Sequence, residues 1–229
     1  MKYKKLFTVL ILCLPTHWVS AQLTQEFRFE QEVKRNEEGF TVISLKKEGI
    51  ALVRDTDKYA QGNKKWQVEI LDTTLNKVWS TDLELKSKLV LIGYEYNSNH
   101  LYLLFREEAG LHNEMQLMTF LLSERTIDTD KIKFEVEIKL THFIMSGTSA
   151  VFGGYVNNEP AVLLYDRASG IPKILPGLFI KDMSLLDVRA NQNESFNILL
   201  IEQRLKKKRR WLSERSTTTA TCSWMISSR

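Results

Sequence analysis

Cysteine is nearly missing from this 229-residue chain, which has two, Cys13 and Cys222. So placed, they give the body of the sequence no internal disulfide and no thiolate metal site, and its core must be held by packing alone. Histidine is almost as scarce. Beyond His17 there are His100, His112 and His142, none paired at i, i+2 or i, i+4, so no local pair of imidazole ligands exists. No Gly-x-x-x-x-Gly-Lys run is present, which excludes a phosphate cradle of that kind. Past the first twenty residues no apolar stretch approaches the length of a membrane span, and none is expected.

The one sustained apolar stretch is Leu6 to Leu14, broken only by Thr8 and preceded by the basic start Met1-Lys2-Tyr3-Lys4-Lys5. That is the length of a signal-peptide h-region and too short to cross a bilayer. Val19 and Ala21 put suitable side chains at −3 and −1 of a cleavage after Ala21. Residues 1–21 are therefore expected to be a signal peptide, with a mature chain beginning at Gln22 and exported to the periplasm, cell surface or medium. A lipid anchor on Cys13 needs a small residue before it, and Leu12 is large.

Charge is divided unevenly. Gln22 to Gln203 holds 21 basic and 27 acidic residues, whereas the stretch from Arg204 onward holds eight basic residues and one acid. A mildly acidic body offers no nucleic-acid footprint.

What is present in quantity is short apolar runs at a long period. GIALVRD from Gly49, HLYLLFREE from His100, SAVFGGYV from Ser149 and SFNILLIEQ from Ser195 share a pattern. Their markers Ile50, Leu101, Ala150 and Phe196 are separated by 51, 49 and 46 residues. Each run has an apolar partner before it, beginning at Phe40, Leu89, Thr141 and Met183, and three have one after it, from Trp66, Met115 and Ala161. A fourth run follows from Lys77 and from Lys131, with a poorer one from Lys173. Rich in β-branched and aromatic residues and lacking a 3.6-residue period, these are strands. Ile50–Val53, Leu101–Phe105 and Ile198–Ile201 are apolar on both faces, as strands buried on both sides must be. Phe27, Phe29 and Val33 also alternate like a strand, one expected to be poorly anchored.

Asp72-Thr-Thr-Leu-Asn76 and Asp166-Arg-Ala-Ser-Gly170 occupy the same place in the first and third units. The aspartate accepts from backbone N–H groups ahead of it, and Asn76 or Gly170 is expected to take the left-handed position. On these residues the chain resembles a β-propeller repeat of the PQQ, kelch or six-bladed kind. The resemblance covers Phe40 to Gln203, departs at Ser123 to Asp128 of the second unit, and carries over no functional residue. The signal ending at Ala21-Gln22 is similar to those of secreted Bacteroidota proteins. The implied fold is all-β, with antiparallel propeller-like blades, three and a half units of which are visible. A two-sheet β-sandwich is the alternative.

Propellers close with four to eight blades. Where the fourth unit should supply its third strand, the chain reads Lys207-Lys-Arg-Arg-Trp-Leu212, and burying such charges unpaired is costly. Residues 22–203 are thus expected to form an incomplete repeat domain, and 204–229 a disordered basic, Ser/Thr-rich tail. A slip of reading frame near Lys206-Lys-Lys208, or a truncated copy, is the expected cause of the change.

Candidate chemistry is sparse. Gly147-Thr-Ser149-Ala-Val151 lacks the second glycine of a nucleophile elbow, so Ser149 reads as a loop serine opening a strand. Asp55-Thr-Asp57 and Asp128-Thr-Asp130 begin like calcium loops, but Trp66 and Lys139 stand where a bidentate glutamate is needed. Glu37-Glu38 and Glu107-Glu108 have no acid/base partner, and Trp66 and Trp79 read as blade core before a carbohydrate platform. No catalytic, cofactor or metal residue is assigned. The expected function is an exported, non-enzymatic module binding a protein, peptide or glycan. The alternatives are a secreted hydrolase or lyase with acidic groups converging on a central channel, and a gene fragment without function.

Overall fold

The computed structural model describes residues 26–31, 39–109, 113–178, 182–202 and 219–225. The chain divides into two compact units, Met1–Gln31 and Glu32–Arg229. In the first, residues 26–31 form neither strand nor helix, and Phe27 is half exposed. The strand pattern expected there is not formed over these residues, and Val33 lies outside the described ones.

The second unit is all-β. The first sheet holds β1 (Thr41–Ser44), β2 (Ile50–Ala60), β3 (Asn63–Leu71) and β4 (Lys77–Lys86), with one 3-10 turn at Lys46–Glu48. The second holds β5 (Leu89–Asn97), β6 (His100–Glu107), β7 (Glu114–Leu121) and β8 (Thr126–Lys133). The third holds β9 (Lys139–Ser146), β10 (Ser149–Val156), β11 (Glu159–Asp166) and the short β12 (Ile171–Ile174). The fourth holds β13 (Met183–Ala190), β14 (Ser195–Glu202) and β15 (Thr219–Met225). Every sheet is an antiparallel meander in sequence order, the architecture of propeller-like blades. Among the described residues four sheets stand where a sandwich has two. Among the described residues no helix is long and apolar enough to cross a membrane.

The two-sided strands are explained by where each sheet sits. On β6, Leu101, Leu103 and Phe105 pack against the first sheet, while Tyr102 and Leu104 pack against the third. On β10, Phe152 joins the core shared with the second sheet and Val151 the core shared with the fourth. Gly153 lies on that same side. A Cβ there would stand 2.8 Å from Val188 Cγ2, so the bare backbone lets β13 close on β10. The opening strands of successive sheets lie side by side, β5 against β9 and β9 against β13.

Three expectations are corrected. The alternation from Lys131 to Leu140 is not one strand: β8 ends at Lys133 and β9 starts at Lys139. Between them Phe134 and Ile138 are buried in the core of the second and third sheets, and Phe134 N donates to Asn113 O at 2.9 Å. The alternation thus belongs to a crossover wedged between sheets. The left-handed residue of the first turn is Leu75 (φ 63°) and not Asn76, matched by Arg125 (φ 56°) in the second unit and Gly170 (φ 68°) in the third. Asp72 Oδ1 accepts from Thr74 N at 2.8 Å and from Asn76 N at 2.9 Å, which fixes the loop whatever the left-handed side chain is. Finally, Thr219–Met225 pairs with β14, inside the stretch expected to lie outside the fold. The third position is taken by this Thr- and Trp-containing segment, and the basic run Lys207–Arg210 lies outside the described residues.

Candidate functional site

The hairpins joining the first and second strands of three sheets meet at one end of the array. They enclose a polar cavity of about 400 Å³. The second sheet supplies Asn97, Ser98, His100 and Tyr102; the third supplies Ser146, Gly147, Thr148 and Arg167; the fourth supplies Asn191, Gln192 and Glu194.

Two of the three hairpins are tight. Ser98 (φ 46°) and Asn99 (φ 70°) both take left-handed backbone, the requirement of a two-residue turn between twisted strands. Gly147 (φ 57°) does the same in the third sheet, and an added Cβ would sit 3.1–3.3 Å from the Glu194 side chain lying over it. The fourth sheet's turn is longer and side chains shape it. Asn191 Nδ2 donates to Ser195 Oγ at 2.8 Å, and that hydroxyl donates to Asn193 Oδ1 at 2.6 Å. Buried Ser146 Oγ donates to Ser195 O at 3.0 Å, tying the third hairpin to the fourth.

Most hydroxyls of the cavity are engaged. Ser98 Oγ donates to Asn97 Oδ1 at 3.0 Å, Thr148 Oγ1 to Asp166 Oδ1 at 3.5 Å, and Ser146 is used as above. Tyr102 differs. Its ring is buried and stacked on His100, with centroids 5.9 Å apart at 18°, and its hydroxyl makes no hydrogen bond among the described residues. Burial pushes its pKa up and Arg167 pulls it back, so the phenol stays a neutral donor. His100 Nδ1 lies 3.0 Å from Ser98 O, a carbonyl that can only accept, so the proton of this bond sits on Nδ1.

Arg167 sets the field at the mouth. Its Nε donates to Asp130 Oδ2 at 2.7 Å and its Nη2 to Asp128 Oδ2 at 2.9 Å. Tyr165 OH adds a 3.3 Å bond to Asp130 Oδ1. The aspartates of Asp128-Thr-Asp130 therefore face a guanidinium across the second and third sheets. Asp55 is buried and paired with Lys64, and it also accepts from Asp57 N at 2.9 Å. Among the described residues no three His, Cys, Asp or Glu side chains converge to hold a metal.

The other sequence candidates lie apart from the cavity. Ser149 is buried at the start of β10, with no histidine bonded to it among the described residues. His142 on β9 meets Thr141 Oγ1 at 2.8 Å. Trp66 packs edge-on to Phe105 at 5.2 Å and Trp79 to Phe120 at 6.0 Å, both in the core of the first and second sheets. Glu107 ends β6 at the opposite end from His100. His112 and Glu37-Glu38 fall outside the described residues. Arg167, Tyr102 and Glu194 were not singled out by sequence. The available signal was the Asp-x-Asp pair on one face of β8, which demands a cation.

Fold and site together define an all-β, propeller-like protein with a polar mouth at one end. No protein-family model matches the chain. No curated protein matches it either. A solved structure from "Structural and Mechanistic Analysis of Two Prolyl Endopeptidases: Role of Inter-Domain Dynamics in Catalysis and Specificity" is similar at a TM-score of 0.41 and 16% identity. The match covers 66% of this chain and 21% of that one, so the chain spans about a fifth of that protein's length.

Proposed function

We propose that this protein is an exported, non-enzymatic binding module whose polar mouth takes a glycan or a peptide segment. The observation that carries the reading is the division of labour among the cavity's hydroxyls. Ser98 and Ser146 donate to an amide oxygen and a backbone carbonyl, neither of them a base, and Thr148 Oγ1 lies 3.5 Å from the Asp166 carboxylate, beyond the reach of a tight nucleophile–base pair, whereas Tyr102 presents an unshared hydroxyl beside a stacked imidazole. Amides from Asn97, Asn191 and Gln192 complete a rim matched to ligands dense in hydroxyl or amide groups. Export rests on the basic start, the Leu6–Leu14 core and the Val19–Ala21 end of the leader.

The test is capture on glycan and peptide arrays by the wild type and by His100→Ala and Gln192→Ala. Ligands retained by the wild type and lost by both variants support the mouth. Capture of nothing, or equal capture by all three proteins, overturns it.

One observation favours a second reading, a secreted hydrolase or lyase. His100, Arg167 and Glu194 approach the cavity from three sheets, and His100 Nε2 is available as a base. Turnover of a captured ligand that stops in His100→Ala and Glu194→Gln would establish it.

A further inference from the structure

The tight turn between β5 and β6 has a cavity on each side. Asn97, Ser98 and His100 line the polar mouth, and Asn99 lines a slot of about 270 Å³ between the ends of the first and second sheets. Asn99 Nδ2 donates to Ser123 Oγ at 2.7 Å and Leu122 N to Asn99 O at 3.0 Å, so the turn is a fixed wall that the two cavities share.

The slot is apolar. Ile70 and Trp79 are register partners on β3 and β4, and they share with Leu45 and Leu122 the core between the first and second sheets. Val78 is the extra residue of a bulge between the pairs Ile70–Trp79 and Leu71–Lys77, which brings it to the slot beside Trp79 while leaving it 46% exposed. Trp79 is only partly exposed and stands edge-on to Phe120, so the slot offers aliphatic walls and not the open ring face on which a sugar stacks.

Across the turn the mouth is left with excess negative charge. Arg167 is matched by two carboxylates, Asp128 and Asp130. Glu194, whose side chain lies over Gly147, has no ammonium or guanidinium within 4.0 Å among the described residues. A basic group complements that field, and an anionic one is repelled by it.

We propose that the ligand is a peptide segment that crosses the β5–β6 turn, with an aliphatic side chain in the slot against Val78, Trp79 and Leu122 and a basic side chain in the mouth at Glu194. This rests on the reading of the mouth as a binding site, and it narrows the ligand from glycan or peptide to one class of peptide. The slot lies between the first and second sheets and Glu194 overhangs the third. Stacked sheets lie about 10 Å apart, so the two side chains stand about 15 Å apart, or about four residues along an extended peptide.

The experiment is fluorescence-anisotropy titration of the full chain with the labelled peptide Leu-Ser-Asn-Ser-Lys, and with versions carrying serine for the leucine or glutamine for the lysine. It is repeated on Val78→Asp, Glu194→Gln and Gln192→Ala. All three residues are exposed, and an unchanged circular dichroism spectrum and melting midpoint certify each fold. On the wild type, loss of the leucine should weaken binding by about fivefold, and loss of the lysine by about threefold. Val78→Asp should abolish the first difference and Glu194→Gln the second, and Gln192→Ala should weaken all three peptides. Equal binding of the three peptides by the wild type overturns the proposal, and leaves the mouth standing where Gln192→Ala still weakens them. Differences that survive Val78→Asp or Glu194→Gln overturn it too. Binding of none of the peptides overturns it while glycan capture by the mouth remains open to the arrays, and binding unmoved by Gln192→Ala overturns the mouth and this proposal together.

Discussion

Arg167 and Asp130 are 37 residues apart in sequence and 2.7 Å apart in space, Nε to Oδ2, and they join the turn after β11 to the outer strand of the preceding sheet. The pair is four-fifths buried, at 20% and 18% side-chain exposure. A contact of that kind gains more than a surface ion pair, because loss of either partner strands a charge that water only partly reaches.

Arg167→Ala should therefore lower stability by about 1–2 kcal/mol, read from the urea midpoint at constant m-value. Arg167→Lys should recover only part of that loss, since a point ammonium cannot reach Asp128 and Asp130 with the guanidinium's fixed fork. Full recovery by lysine would show that charge alone matters here.

Gly147→Ala puts a Cβ at left-handed φ and against Glu194, and should cost about 1–2 kcal/mol. Glu194→Ala in the same chain removes the contact and leaves the backbone strain, so most of the loss should persist in the double variant's thermal melt.

Phe152 is fully buried between the second and third sheets, with rings of Phe134 at 5.3 Å and Phe143 at 5.6 Å. Phe152→Ala should cost about 3–5 kcal/mol. Denaturant melts that leave the midpoint within experimental error would contradict the packing of these two sheets.

Acid should act through the turns. Asp72 and Asp166 have pKa values below the ordinary 3.8, held there first by the hydroxyls of Thr74 and Ser169. A depressed folded-state pKa means the unfolded chain takes up protons first, so the contribution is full above pH 3.8 and is lost as pH falls through the folded values. Wild type should therefore lose stability below about pH 4 more steeply than Asp72→Asn/Asp166→Asn, and the two curves should run parallel above about pH 5.

Export is checked separately. Material recovered from the periplasm, cell surface or medium should begin at Gln22 by N-terminal sequencing. Recovery of the full-length chain from the cytoplasm alone would refute the leader.

Much of the sheet array was legible because it depends on local pattern. Runs such as Leu101–Phe105 have a buried neighbour on both faces, and that leaves an apolar signature in consecutive residues. The 49-residue period marks the sheets for the same reason. The Lys131–Leu140 stretch misled because a crossover that buries Phe134 and Ile138 alternates like a strand. Thr219–Met225 was missed because a Ser- and Thr-rich segment that follows a basic run looks like linker until β14 is there to pair with. The mouth was the least legible part. Its residues come from hairpins of three sheets, and Arg167 acquires its role only when the third sheet lies over Asp128 and Asp130.

The most direct test of the central claim is hydrogen exchange of the full chain with and without a ligand captured on the arrays. Slowed exchange confined to the hairpins around residues 97–100, 146–149 and 191–195, with the ligand recovered intact, is the predicted result. Protection elsewhere with those three hairpins unchanged, or a ligand recovered cleaved, would contradict a binding mouth without chemistry of its own.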